Sequence, residues 1–295
     1  MRLARVLLGI LLPAMMVAGP ARADFIGISF FSPGDVFTFN ESGDVTLLGP
    51  SGFGGLNSLA KDSSGNLYTQ GFSTKTGAAF VLIDPLTGVG TAVAPNADQL
   101  DVRGLAFDPS DTLYAIVNVF GGTLDFLYTI DLQTGEGQLI GSTGFTNLQG
   151  LEFDSSGTLF GWDTAGNRGL VIINTTTGAG SLVGAAGGTL DIQTLAFDAD
   201  GALFGAGQNL YSINAATGQF TLVSNIGHDI RGFASIDDAP TCAADLTGDG
   251  QVGSADLAIL LGDWGAMGSD ADLDGDGMVG SGDLAALLGS WGPCS

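Results

Sequence analysis

The 295-residue chain holds only eight Lys and Arg, one histidine and two cysteines, and each shortage closes off a class of chemistry. Set against 31 acidic residues, so few basic ones leave a formal charge of −23. Nucleic-acid binding needs clustered Lys and Arg, and attraction to an anionic membrane surface needs a polybasic segment; neither can be assembled from this composition. The lone histidine, His228, sits in a Gly-His-Asp loop and reads as a solvated turn residue. Nucleophilic triads built on imidazole therefore lack their base. The two cysteines, Cys242 and Cys294, bracket the last fifty or so residues. In an exported protein that placement reads as a disulfide closing a C-terminal unit; two free thiols are the plain alternative. Beyond the N-terminus no stretch approaches twenty apolar residues, so no membrane insertion is expected.

Residues 1–23 have the form of an export signal. Arg2 and Arg5 lead an apolar run from Val6 to Val17, and Ala21-Arg22-Ala23 has the small-x-small pattern of a cleavage site. The mature chain then starts near Asp24 and keeps five basic residues, Lys61, Lys75, Arg103, Arg168 and Arg231, against 31 acidic ones, a formal charge of −26. The expectation is a secreted protein, extracellular or on the cell surface of a bacterium, that repels phosphate and attracts cations.

What the chain has in abundance is glycine, 49 residues, together with Thr, Val, Phe and Leu. That balance favours short strands joined by tight turns. Residues 24–238 contain a repeat of 44 to 46 residues, clearest in DVRGLAFDPSDTLYAI, NLQGLEFDSSGTLFGW and DIQTLAFDADGALFGA, which begin at Asp101, Asn147 and Asp191, with GLNSLAKDSSGNLYTQ from Gly55 ahead of them. Each copy runs on into a third strand, a turn such as DLQTG or NTTTG, and a fourth strand. Four antiparallel strands at a period in the forties form a β-propeller blade, which buries both faces only when neighbours stack around an axis. The region starts with three strands that lack a first one and ends with an orphan first strand from Asp229. Pairing the two ends predicts an all-β, five-bladed propeller, joined by a linker at 239–241 to a small helical unit at 242–295. The repeat resembles the broad group of secreted propellers related to NHL-like and quinoprotein-like repeats. That resemblance implies architecture without an activity.

Two features of the propeller point to candidate sites. Asn57, Arg103, Gln149, Gln193 and Arg231 occupy one shared position near the start of each first strand, with Asp101, Asp191 and Asp229 two residues before three of them. Together they predict a polar ring round one mouth of the central channel, serving either a ligand or the seams between blades. Glu152 interrupts a face on which the other blades carry Ala60, Ala106, Ala196 and Ala234. A carboxylate there needs a partner or a function, and it is the one candidate for catalysis. The Asp-x-x-Gly tetrads Asp154 to Gly157 and Asp198 to Gly201 read as turns.

The C-terminal unit is a doublet. ADLTGDGQVGSADLAILLGDWG, from Ala244, returns as ADLDGDGMVGSGDLAALLGSWG, from Ala271, with 17 of 22 positions identical. Numbered from the first Asp of each copy, Asp272, Asp274 and Asp276 stand at positions 1, 3 and 5, Gly277 at 6, and Asp283 at 12; Met278 at 7 offers its backbone carbonyl. The first copy supplies Asp245, Thr247, Asp249, Gln251 and Asp256. Alternate carboxylates around a tight glycine turn converge on one point, which is calcium-loop spacing. Oxygen-only ligands favour calcium over zinc or magnesium. Two ions are expected, with weaker binding in the first loop, where Thr247 replaces a carboxylate. Each loop leads into a predicted helix, Leu257 to Trp264 and Leu284 to Trp291, with Leu257, Leu260, Leu261 and Trp264 at one-face spacing.

Paired twelve-residue loops ending in Asp, each followed by a Leu-rich helix at the end of an exported chain, resemble a type I dockerin. The resemblance covers residues 242–295 and implies calcium-dependent docking to a cohesin module through positions 10 and 11 of each loop, here Ser254, Ala255, Ser281 and Gly282. The chain departs from that pattern in having no Lys or Arg in this span and glycine at position 9, Gly253 and Gly280. Two functions follow as expectations. One is a secreted binding module for a glycan or protein, displayed through a calcium-loaded tail. The other is a carbohydrate-active hydrolase or lyase delivered by that tail.

Overall fold

The structure is a computed structural model that describes residues 25–31, 33–118, 124–165, 169–184, 191–236, 244–247, 251–269, 271–274 and 277–293. The predicted export signal, the linker, Arg168, Asp249, Asp276, Cys242 and Cys294 lie outside these residues.

Five four-stranded antiparallel sheets make up the body of the chain. The innermost strands are Gly54–Lys61, Asp101–Phe107, Leu148–Phe153, Thr194–Phe197 and Ile230–Ser235, and they neighbour one another in cyclic order. The ring closes as the orphan segments predict. Phe25–Ser29 pairs antiparallel with Ile230–Ser235, and Asp35–Phe39 and Val45–Pro50 complete that blade. Burial falls off from axis to rim: Leu159–Asp163, a second strand, is buried at every position, whereas the fourth strand Gly137–Ser142 has none buried. Inner strands covered on both faces read as nearly continuous apolar runs, and rim strands mix polar residues with exposed apolar ones.

The apolar core is divided into five seams, one per pair of adjacent blades. The seam at the closure is the most aromatic, with Phe25, Phe37, Phe39, Phe204 and Phe233 all buried. Near the axis the blades converge until backbone meets backbone. Gly150 has φ +60°, and a Cβ there would stand 2.7 Å from the Thr194 Cα. This close approach is the physical reason for the small-residue face of the repeat. At the rim, Gly135 in the DLQTG turn has φ +76°, and a Cβ there would overlap the Pro95 carbonyl of the preceding blade. The turn glycine thus meets both a backbone and a contact requirement.

The C-terminal unit buries Ala244, Val252, Leu260, Ala271, Val279 and Leu287 in one small core. Its helices are α1, Ser254–Gly262, and α2, Ser281–Gly289. They begin before the predicted starts and stop short of Trp264 and Trp291. Leu257 and Leu284 are partly buried against the core, whereas Leu261 is 52% and Trp264 49% exposed, so the predicted four-residue face does not form. Nine-residue helices ending at glycine present too few turns for all four positions to reach one core. The two copies are tied reciprocally. Val252 pairs with Gly292, after α2, and the Val279 carbonyl accepts from Gly265 N, after α1, at 2.8 Å.

Candidate functional site

In the second loop the chain brings Asp272, Asp274 and Asp283 together, with one carboxylate oxygen of each lying within 4.8 Å of the others. Asp283 is 1% exposed and fixed by three backbone donors: Leu273 N at 2.7 Å, Asp274 N at 3.0 Å and Gly280 N at 2.6 Å. The last of these is the N-cap of α2, so position 12 caps the helix and cinches the loop at once. Bonds from Gly280 and Asp274, with Leu273 behind them and burial opposing, hold its carboxyl below the usual range. It is therefore anionic where three carboxylates converge. Asp272 accepts from Gly277 N through Oδ2 at 2.9 Å, whereas its Oδ1 is buried with no hydrogen-bond partner among the described residues. Uncompensated oxygen acceptors in a cluster of anions are what a hard divalent cation satisfies, and the residues fit calcium.

The first loop is built alike with one exchange. Asp256, also 1% exposed, accepts from Thr247 N at 2.9 Å and from the N-cap Gly253 N at 2.7 Å. Burial pushes its carboxyl up, but the bonds from Gly253 and Thr247 outweigh it, and the group sits below the usual range. The Thr247 hydroxyl lies 3.1 Å from Asp245 Oδ1 and 2.9 Å from Asp256 Oδ1. A neutral donor thus stands where the second loop has Asp274. Met278 and Gln251 are exposed beside the loops.

Ser254, Ala255, Ser281 and Gly282 all lie exposed at the starts of the two helices. One of them is constrained: a Cβ at Gly282 would overlap Asp274 Oδ2. The first loop pairs Ala255 with Thr247 at the equivalent positions. In the second loop position 11 is therefore sterically coupled to position 3.

On the propeller, the predicted ring residues all fall at the start of their inner strands, and most are tied locally. Arg103 Nη2 meets Asp101 Oδ2 at 2.6 Å, Gln149 Nε2 donates to Asn147 Oδ1 at 3.1 Å, and Gln193 bonds Asp191. Arg231 Nε meets Asp229 at 3.0 Å while its Nη1 reaches Gln193 Oε1, in the next blade, at 3.2 Å. Asn57 Nδ2 crosses to the Val102 carbonyl at 3.1 Å. Three members, Asn57, Gln193 and Arg231, therefore knit neighbouring blades. Some capacity is left over, since Asn57 Oδ1 and Arg103 Nε are buried with no partner among the described residues.

Glu152 lines a cavity of about 130 Å³ at the other end of the inner strands, with Lys61, Asp198 and Ser235. Lys61 Nζ donates to the Ser235 carbonyl at 2.9 Å, and Asp198 Oδ1 accepts from Ala202 N within its turn. The cavity is below the roughly 300–1,000 Å³ of typical ligand sites.

Sequence reasoning missed the aromatic rings at the ring's mouth. Phe30 and Phe31, in the turn after Phe25–Ser29, are 42% and 69% exposed, and Phe72 is 54% exposed. Their signal was present as FF and GFS at turn edges, where a core strand has no use for a large ring.

No known family model matches the chain, and no curated protein matches it in sequence. Its fold is shared with solved structures. A chain of the nidogen/laminin complex superposes with TM-score 0.50 at 13% identity, over 72% of this chain and 98% of that one. A gluconolactonase of Xanthomonas campestris gives 0.47 at 14% identity, over 71% and 78%. The PQQ-bound aldose sugar dehydrogenase of Streptomyces coelicolor gives 0.43 at 18%, over 72% and 85%. At these identities the likeness is one of fold, and the fold is a β-propeller.

Proposed function

We propose that this is an exported calcium-binding protein: the propeller recognises a glycan or protein ligand outside the cell, and the dockerin-like tail displays or docks it through a cohesin-like partner. The convergence of Asp272, Asp274 and Asp283 within 4.8 Å carries the reading. Calcium supplies positive charge that offsets their mutual repulsion. The chain's own residues do the rest. Asp283 and Asp256 cap the helices and tie each loop closed, and the small core holds the two halves in register. The exposed positions Ser254, Ala255, Ser281 and Gly282 would then be presented on a frame whose rigidity depends on the ion.

Titrating calcium into the metal-stripped full chain tests this, followed by calorimetry and by amide resonances of residues 244–293. The expected result is two ions bound with unequal affinity and dispersed tail resonances that collapse in excess EGTA. Tail resonances indifferent to EGTA would remove the basis for a calcium-dependent dock.

The alternative, a polysaccharide-degrading enzyme, has Glu152 as its catalytic candidate. The small cavity and the use of Asp198 in its own turn favour the binding module. Turnover of a polysaccharide that disappears in Glu152→Gln would reverse that preference.

A further inference from the structure

We propose that the propeller's ligand is an uncharged polysaccharide, held along a track of exposed phenylalanine rings and paired polar side chains that crosses the mouth where the inner strands begin. This rests on the reading of the propeller as the recognition module and names its ligand class.

The track has two parts, joined by one backbone hydrogen bond. At one end Arg231 links Asp229 to Gln193 and lies with its guanidinium carbon 5.8 Å from the centroid of Phe30. Phe30 stands edge-to-face with Phe31, their centroids 5.9 Å apart. The Phe30 carbonyl accepts from Gly55 N at 2.8 Å, and Gly55 lines a cleft of about 770 Å³ whose far wall carries Phe72 and hydroxyls of Ser73, Thr74 and Thr76. Phe72 also lines a second cleft of about 540 Å³, together with Asn96 and Gln99. Its ring is thus a ridge between two clefts, each within the roughly 300–1,000 Å³ of ligand sites.

Three observations select the ligand class. Large aromatic side chains left exposed beside concavities mark binding surfaces, because each forgoes burial that the core would otherwise provide. Sugar rings present flat C–H faces to stack on such rings and hydroxyl edges for planar amides, carboxylates and guanidinium groups. Both kinds of partner alternate along this track. Charge then discriminates among glycans. Arg103 and Arg231 are each paired with an aspartate two residues earlier, which leaves Lys75 on the cleft wall as the one cation of the track without an ion pair among the described residues, on a chain whose charge of −23 repels a polyanion.

The site is also stiff. Asn96 closes its loop by donating to Leu100 O at 2.8 Å and accepting from Leu100 N at 2.9 Å. Gln99 holds φ +51° inside that loop, a conformation that is costly for a non-glycine residue and that clusters at binding sites.

Affinity electrophoresis of the full chain in gels containing laminarin, mannan or xylan, and separately alginate or polygalacturonate, tests the proposal. Retardation by at least one neutral polysaccharide is expected, weakened tenfold or more by Phe72→Ala and by Phe31→Ala and retained by Phe72→Trp. Far-UV circular dichroism and Tm should be unchanged in all three variants, since both residues are largely exposed. Absence of retardation by every neutral glycan, retardation only by the acidic ones, or equal retardation of Phe72→Ala would overturn it. Calcium binding by the same preparations is read separately, so a tail that binds calcium while the propeller ignores glycans sinks this inference and leaves the calcium-loaded tail standing.

Discussion

Phe25 and Phe233, from the two ends of the propeller sequence, meet with ring centroids 5.4 Å apart and interplanar angle 67°. Phe25 also touches Phe39 and Phe204 at 5.3 Å each, so one side chain gathers three segments of the closure. Phe25→Ala removes a fully buried ring from this seam and should cost about 3–5 kcal/mol. For a body of this size that is a fall in Tm of roughly 10 °C. A melt indistinguishable from that of the parent would mean that the closure is held by its backbone pairing alone.

The coupling of Asp274 to Gly282 gives a calcium prediction that composition does not. Thr247→Asp should raise the affinity of the first loop about tenfold, because affinity follows ligand charge. The gain should be larger with Ala255→Gly, which clears the space that a carboxylate at position 3 occupies in the second loop. Calorimetry of the two single variants and the double variant measures the coupling. Strict additivity would show that positions 3 and 11 are independent.

Asp125 supplies the pH dependence. It is wholly buried, accepting from Leu148 N at 2.6 Å and Asn118 Nδ2 at 2.8 Å. Burial pushes its carboxyl up despite those bonds. A raised folded-state pKa contributes stability that is complete below the ordinary carboxylate value of about 3.9 and is lost as pH rises through the folded value. The urea midpoint of the parent relative to Asp125→Asn should therefore improve as pH falls from 7 toward 4. Asp84, held low by Leu86 N and Thr87 N, shifts both proteins in the opposite sense and cancels in the difference. A difference that is flat with pH would show that Asp125 titrates normally.

Gly135 and Gly157 both have positive φ, but only Gly135 faces a neighbour. Gly157→Ala should cost about 1 kcal/mol from backbone conformation alone. Gly135→Ala should cost more, because the Pro95 carbonyl must move. Equal urea midpoints for the two variants would deny the contact between blades a share in stability.

The propeller was legible because its repeat is an arithmetic fact of the sequence, and the orphan strands at each end required closure. The convergence of Asp272, Asp274 and Asp283 was legible because the spacing of side chains within a twelve-residue loop is local. Less could be read where a residue's task depends on a distant partner. Whether Gln193 serves a ligand or the neighbouring blade depends on Arg231 reaching it. The ends of the helices were overextended because the one-face spacing of Leu261 and Trp264 persists past the point where Gly262 and Gly289 let the chain turn away. The proposed aromatic track was not legible because Phe30 and Phe72 lie in different blades, and only the folded ring bonds the Phe30 carbonyl to Gly55, which shares a cleft with Phe72.

The rim contacts give the wheel a direction. Gly43, Gly88, Gly135, Gly178 and Gly218 each sit against the preceding blade, so every blade is a ratchet tooth seated against its predecessor. A lineage that duplicates or drops one blade must recut every tooth to suit the new pitch. Lengthening the hairpins that fringe the Phe30 mouth disturbs none of them, and there variation in what is recognised can accumulate without loosening the wheel.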